Sequence, residues 1–474
     1  MADLTMATLD GDSTKIGQEA IQALASSLRG DLLTPDTPGY DEARTIWNGM
    51  IDRRPAMIIR CAGVADVMRS VAFARDHQAL VAVRGAGHNI AGNAVCDKGL
   101  MIDLSAMKSV RVNSETRRAY VEPGATLGDF DHEAQAFGLA TSLGINSTTG
   151  VAGLTVGGGF GWLSRKYGMT VDSLVSADVI TADAKRVRAS AEENPDLFWA
   201  IRGGGGNFGV VTVFEFQLHP VGPEVLAGLI VFPFDQAKAL LTKYRELVDK
   251  IPEDLNVWVV LRQAPPLPFL PKEVHGKEVV VLPLFYAGKI GEGKRAIEPL
   301  RTLGKPHGEH IAPQQFTAWQ KAFDPLLTPG ARNYWKSHNF SELSDGALDV
   351  MIEYASKLPS PQCEIFIGLI GGQANRVAPD ATAYVARDTK FVLNVHARWD
   401  EPRDDKRCIA WAREFFDKSA PYATGSAYVN FMTEEEVDRV AAAYGPNYER
   451  LVQVKKKYDP KNLFRMNQNI KPSV

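Results

Sequence analysis

Residues 80–92 read Leu80-Val-Ala-Val-Arg-Gly-Ala-Gly-His-Asn-Ile-Ala-Gly92. The apolar run Leu80 to Val83 has the length and composition of a buried strand. It breaks into Arg84, Gly85, Ala86, Gly87, His88 and Asn89. Small residues let the backbone turn sharply and bring its N–H groups close to a ligand. Successive N–H groups aimed into one concavity make a nest for an anion such as phosphate. His88, a nucleophilic side chain, follows at once. Two readings stand here: a nucleophile beside a phosphate cradle, or a strand-to-loop turn with a histidine facing solvent.

Working outward, residues 56–61 read as a strand, and Val64, Val67, Met68 and Val71 recur at helical spacing. Strand, helix, strand and Gly-rich loop thus open an α/β unit. Ser13 and Thr14 are placed to cap a helix carrying Ile16, Ala20, Ile21, Leu24 and Leu28, ended by Gly30. Residues 40–50 form a loop or short helix around Trp47. Short strands are expected over 100–104, 110–112 and 118–121, then a helix over 126–137 closed by Gly138. A second glycine system follows, Leu143-Gly-Ile-Asn-Ser-Thr-Thr-Gly-Val-Ala-Gly153 and Thr155-Val-Gly-Gly-Gly-Phe-Gly-Trp162. Such density calls for tight crossing of two segments or close approach to a ligand. Residues 174–181 and 186–188 read as a hairpin, and Asn194-Pro195-Asp196 as a helix start with an Asn cap.

That helix runs into a third loop, Gly203-Gly-Gly-Gly-Asn-Phe-Gly209, before a strand over 210–218. Gly204-x-Gly206-x-x-Gly209 has the letters of the dinucleotide fingerprint, but a helix precedes it and a strand follows, the reverse of what that motif needs. No glycine loop continues into Gly-Lys-Ser/Thr, so a P-loop is excluded. A flavin or nucleotide site of another architecture stays open.

The prolines in His219-Pro-Val-Gly-Pro223 mark a boundary. Beyond it, strands over 225–232, 256–262 and 278–285 alternate with helices over 234–249 and 292–300, as a substrate-shaping domain requires. His307-Gly-Glu-His310 lies on a Gly/Pro loop without a third ligand, and no metal site is expected. Further strands are expected over 363–370 and 391–399. In the latter, Asn394, His396 and Arg398 share one face with Val392. That face either meets water or roofs a polar site, where His396 is a candidate proton acceptor. Tyr428-Val-Asn-Phe431 reads as a short strand, Thr433-Glu-Glu-Glu436 as a capping box and 447–458 as a helix. Asn467 and Asn469 then either meet a polar ligand or anchor the tail.

The chain has 474 residues and a formal charge of −3, which gives no reason to expect a nucleic acid or an anionic membrane as partner. Its start lacks a basic segment followed by an apolar one, no apolar run is long enough for a bilayer, and Cys61, Cys96, Cys363 and Cys408 form no Cys-x-x-Cys pair. A cytoplasmic protein with free thiols is the expectation.

Taken together, Arg84-Gly-Ala-Gly-His-Asn89, Thr155-Val-Gly-Gly-Gly-Phe-Gly161 with Arg165-Lys-Tyr-Gly168, Gly205-Gly-Asn-Phe-Gly-Val-Val211, and Tyr428-Val-Asn-Phe431 with Tyr458-Asp-Pro-Lys-Asn-Leu-Phe464 resemble the berberine bridge enzyme-like branch of the vanillyl-alcohol oxidase superfamily. The motifs fall in family order across nearly the whole chain. The resemblance implies an α+β fold: a two-lobed flavin-binding domain of the PCMH type, with an inserted mixed-sheet substrate domain. The FAD-binding domain would take residues 1–220, the substrate domain 221–424, and the tail 425–474 would return to the first domain.

It further implies that Arg84, Gly85, Ala86, Gly87 and Asn89 hold the flavin pyrophosphate and that His88 bonds covalently to the flavin 8α-methyl group. The other implied flavin contacts are Gly144, Thr148, Thr149, Gly153, Gly157, Gly158, Gly159, Gly161, Val210, Tyr428, Asn430, Asn467 and Asn469. Many relatives attach the flavin a second time through a cysteine, but Asn146 stands at that position, so a single attachment is expected. A catalytic tyrosine of some relatives is Phe431 here, and a catalytic glutamate falls near Val392. Tyr428, His396 and Asn394 are left as catalytic candidates. The implied activity is oxidation of an alcohol or amine carbon of a small molecule, hydride passing to flavin N5 and electrons to molecular oxygen. Val151 matches a position linked to oxygen access. A dehydrogenase with another acceptor, or a binding protein that has lost catalysis, are the alternatives. Oligomeric state and substrate identity are not legible.

Overall fold

The computed structural model describes residues 3–472. The opening stretch forms a strand, Val81–Arg84, which pairs parallel with Leu100–Asp103. Leu100–Asp103 pairs parallel with Met57–Arg60, and Asp31–Leu33 adds antiparallel at the edge of this mixed four-stranded sheet. The helix Val64–Asp76 packs its Val67 and Val71 against it. A five-stranded antiparallel sheet follows, built from Val110–Asn113, Arg118–Val121, Leu174–Ile180, Arg186–Ser190 and Val210–Gln217.

Residues past Pro223 build an eight-stranded sheet in which every pairing is antiparallel. Its strand Phe391–Trp399 lies between Glu364–Leu369 and Arg332–Phe340, and all nine of its residues are buried. The C-terminal residues Val429, Met432, Tyr444, Leu451 and Ile470 pack into the same apolar cluster as Phe130, Leu197 and Phe214 of the first half. No helix among the described residues is long and apolar enough to cross a membrane. All four cysteines are buried thiols.

Several local expectations are corrected. Ser13–Ile16 is a strand paired with Leu4–Ala7, because alternation buries Ile16; the helix Gln18–Ser27 starts after Gly17. Asn194 precedes its helix with φ +51° and turns its amide to the Arg188 carbonyl, so it caps nothing. His310 lies on the edge strand Gly308–Gln315, stacked on Phe269, and not on a loop. Residues 255–263 form two strands, broken at Trp258. Val429–Phe431 is a 3-10 turn, not a strand, because Asn430 turns back to the Leu154 carbonyl and the Tyr428 hydroxyl.

Candidate active site

The loop after Val81–Arg84, the second and third glycine loops, the Phe391–Trp399 strand and the C-terminal tail enclose a cavity of about 350 Å³. Gly85, Ala86, Gly87, His88 and Asn89 line it from the first loop, Gly144, Thr149 and Gly153 from the second. Val210, Tyr428, Asn430 and Asn467 complete the expected lining, with Asn394 and His396 overhead.

Other expected residues fall elsewhere. Arg84 turns its guanidinium to the Ala43 carbonyl and to Asp103, 4.0 Å away. Gly157, Gly158, Gly159, Gly161 and Asn469 are outside the wall. These glycines serve packing. A Cβ on Gly157 would stand 2.1 Å from Asn430 Oδ1, and one on Gly161 1.7 Å from the Leu143 carbonyl oxygen. Gly159 has φ +73° and a Cβ there would meet Thr170 at 2.2 Å. Val151 is buried in the apolar core beside the wall, and Val392 is buried in its strand; neither lines the cavity. Sequence reasoning did not place on the wall Gly205, Gly206 and Gly209, the last two of them letters of the rejected fingerprint, nor Trp47, Trp258, Trp335, Glu364 and Phe366.

His88 is half-buried on the cavity wall; burial pushes its pKa down to about 4, so the ring is neutral. Trp47 stacks on it, centroids 5.1 Å apart and planes inclined 22°. His88 Nε2 lies 2.9 Å from Thr148 Oγ1, which donates to Asn146 Oδ1 at 2.7 Å.

The polar face of the Phe391–Trp399 strand roofs the cavity and does not meet water. Cross-strand pairing sets Glu364 opposite His396 and Arg262 opposite Glu364. Arg262 donates to Glu364 at 2.7 Å, and His396 Nδ1 lies 3.2 Å from the same carboxylate. Burial alone would raise Glu364, but the charge of Arg262 and the His396 contact outweigh it and hold the carboxyl below its usual range. His396 Nε2 lies 3.2 Å from Asn333 Oδ1, whose amide nitrogen donates to the Ala331 carbonyl. His396 is thus held between the Glu364 carboxylate and the Asn333 side chain. Tyr428 accepts from Gly159 N and Asn430 Nδ2, each at 3.0 Å; burial pushes its hydroxyl up to about 12. The hydroxyl keeps its proton and does not act as a base near neutrality.

The walls fit a long, polar cofactor. A Cβ on Gly153 or Gly206 would meet no atom within 4 Å, so both leave open a cradle that a side chain would fill. Asn394 Oδ1, Tyr444 Oη, Asn467 Oδ1 and Trp335 Nε1 are buried on the wall without a protein partner. An α+β cradle of small residues, a neutral histidine and a covering antiparallel sheet define a flavin-dependent oxidoreductase.

Comparison with known proteins sharpens that class. Residues 55–190 match the model of the FAD binding domain, and residues 427–471 that of the berberine and berberine like family. An uncharacterized FAD-linked oxidoreductase of Bacillus subtilis is 32% identical over 94% of this chain and 98% of its own. The (R)-6-hydroxynicotine oxidase of Paenarthrobacter nicotinovorans is 32% identical over 94% and 97%. The crystal structure of 6-hydroxy-D-nicotine oxidase from Arthrobacter nicotinovorans superposes with a TM-score of 0.83 at 29% identity, covering 94% of this chain and 99% of that one. The chain belongs to the berberine bridge enzyme-like FAD-linked oxidoreductases of the vanillyl-alcohol oxidase superfamily.

Proposed function

We propose that this enzyme is an oxidase of an alcohol or amine carbon on a small organic molecule, with FAD attached once, through His88, and molecular oxygen as acceptor. Residues 1–220 and 425–474 would form the flavin domain and 221–424 the substrate domain. Bound flavin supplies a hydride acceptor and hands two electrons to oxygen.

The observation that carries this reading is the neutral, half-buried His88 ring on the cavity wall. Gly85, Gly87, Gly153 and Gly206 would let the cofactor approach the main chain, and Tyr444 and Asn467 bring unpartnered polar atoms to it. The substrate would lie below the roof, between Trp335, Phe366 and Phe431, with Asn394 Oδ1 free to accept from its hydroxyl or amine. A 6-hydroxynicotine oxidase among the relatives favours an amine.

Denaturing gel electrophoresis under ultraviolet light tests the attachment. Flavin fluorescence should travel with the wild-type band and vanish in His88→Ala; fluorescence surviving in His88→Ala rejects it. Reduced enzyme mixed with air should reoxidise within seconds and release peroxide, whereas slow reoxidation points to a dehydrogenase with another acceptor.

A further inference from the structure

Three polar groups at the cavity wall, Asn146 and His88 on it and Thr148 between them, form a chain whose hydrogens can all be assigned. The Thr148 backbone N–H points at the Asn146 side chain, 3.0 Å from the atom placed as Oδ1. A backbone N–H only donates, so that atom is the carbonyl oxygen, which only accepts. The Thr148 hydroxyl, 2.7 Å from the same oxygen, must give its single proton to it. Thr148 Oγ1 is then left as an acceptor toward His88 Nε2, 2.9 Å away. The ring carries its N–H on Nε2, and its lone pair is on Nδ1.

We infer that Asn146, acting through Thr148, is a positioning residue that fixes the tautomer of His88 and leaves Nδ1 as the nucleophile for flavin attachment. The inference rests on the proposed attachment at His88 and adds what selects the nitrogen. A neutral imidazole has one N–H and two places to put it, and only one tautomer leaves Nδ1 reactive. Attachment forms a bond from His88 Nδ1 to the flavin 8α carbon and breaks one C–H bond there and the N–H bond at Nε2. The two hydrogens, with two electrons, pass to molecular oxygen as hydrogen peroxide. Asn146 thus has a task of its own at the position where many relatives attach the flavin a second time.

The two links respond differently to substitution. Thr148→Val removes the acceptor and frees the ring to sample both tautomers. Asn146→Leu removes the acceptor of the Thr148 hydroxyl, which can then turn and donate to His88 Nε2, favouring the unreactive tautomer. The full-length protein, purified and supplied with FAD, is sampled over time, and the flavin that stays with acid-precipitated chain is divided by total bound flavin. Wild type and Thr148→Ser should attach flavin at similar rates. Thr148→Val should be up to about tenfold slower, the worth of one hydrogen bond. Asn146→Leu should be slower still, and Asn146→Leu with Thr148→Val should return to the rate of Thr148→Val alone. A merely structural role would make the double variant the worst.

Attachment at the wild-type rate in Thr148→Val, or linkage through Nε2 in the wild-type flavin peptide, overturns the inference, and Thr148→Val suffices if Asn146→Leu fails to fold. No covalent flavin in the wild type would instead overturn the His88 reading, and the relay with it.

Discussion

Glu364→Gln probes the roof. The Glu364 carboxylate accepts from Arg262 at 2.7 Å and faces His396 Nδ1 at 3.2 Å, with side-chain exposures of 13% for Glu364 and 12% for Arg262. Glutamine keeps the shape but removes the charge that faces the Arg262 guanidinium. Breaking a buried pair by removing one partner costs about 3–5 kcal/mol. The residual exposure of both side chains places the expected loss at the lower end, about 3 kcal/mol. Chemical denaturation at matched flavin loading measures it. In Arg262→Met with Glu364→Leu most of the loss should return, because no charge is left unpaired and His396 keeps its Asn333 contact. The pH dependence has a fixed sign. Glu364 is held below its unfolded value of 4.5, so its contribution is complete above that pH and is lost as pH falls through the lower, folded value. The gap between wild type and variant should therefore close in acid. A loss under about 1 kcal/mol, or a gap that persists undiminished at low pH, refutes the roof network as described.

Gly153→Val should fold normally yet take up flavin about tenfold to hundredfold less readily, since its side chain enters the open cradle; flavin absorbance per chain in the newly purified protein reads this. Gly159→Ala should instead lower the melting temperature, because the left-handed backbone and Thr170 both oppose a Cβ. Burial raises Asp131 to about 7, with Gln320 as its one hydrogen-bond donor, so the folded chain binds a proton that the unfolded chain releases. Stability should then fall by at most about 1.4 kcal/mol per pH unit between about pH 4 and 7, and Asp131→Asn should flatten that slope in denaturation series. The logarithm of kcat/KM for an amine substrate should rise with pH until the substrate's own ammonium group is deprotonated, shifting with substrate and not with His396→Gln.

How much of this could be read in advance varies with how local the cause is. The Val81–Arg84 strand and its glycine loop are visible because turn and periodicity are properties of adjacent residues. The division of glycines into wall and packing positions is not, because the same letter serves both. Gly157 and Gly161 are small on account of Asn430 and Leu143, which the chain brings up from far away or around a turn. The strand Arg332–Phe340 goes unread because Asn333, Lys336, Ser337, His338 and Asn339 give it a polar surface, yet it is buried. Its lysine is paired with Glu435 and Glu436 of the C-terminal segment. Glu364 has no signal of its own, since its meaning comes from register with Arg262 and His396.

That register limits how the substrate can lose a proton. Among the described residues on the wall, His88 has a low pKa and, on the proposed reading, is committed to the flavin. Glu364 is held low by Arg262, and Tyr428 is raised to about 12. His88, Glu364 and Tyr428 are thus not bases matched to neutral pH, and His396 is tied to Glu364 and Asn333. An alcohol needs such a base, because its hydroxyl proton must leave as the hydride does. A neutral amine does not, because its nitrogen lone pair pushes electrons toward the carbon that loses hydride. The polar atoms left unpartnered, Asn394 Oδ1 and Trp335 Nε1, can orient such a molecule without taking a proton from it. On the proposed reading, an amine that enters already deprotonated asks no base of the wall, which is consistent with Phe431 and Val392 standing where some relatives carry a catalytic tyrosine and glutamate.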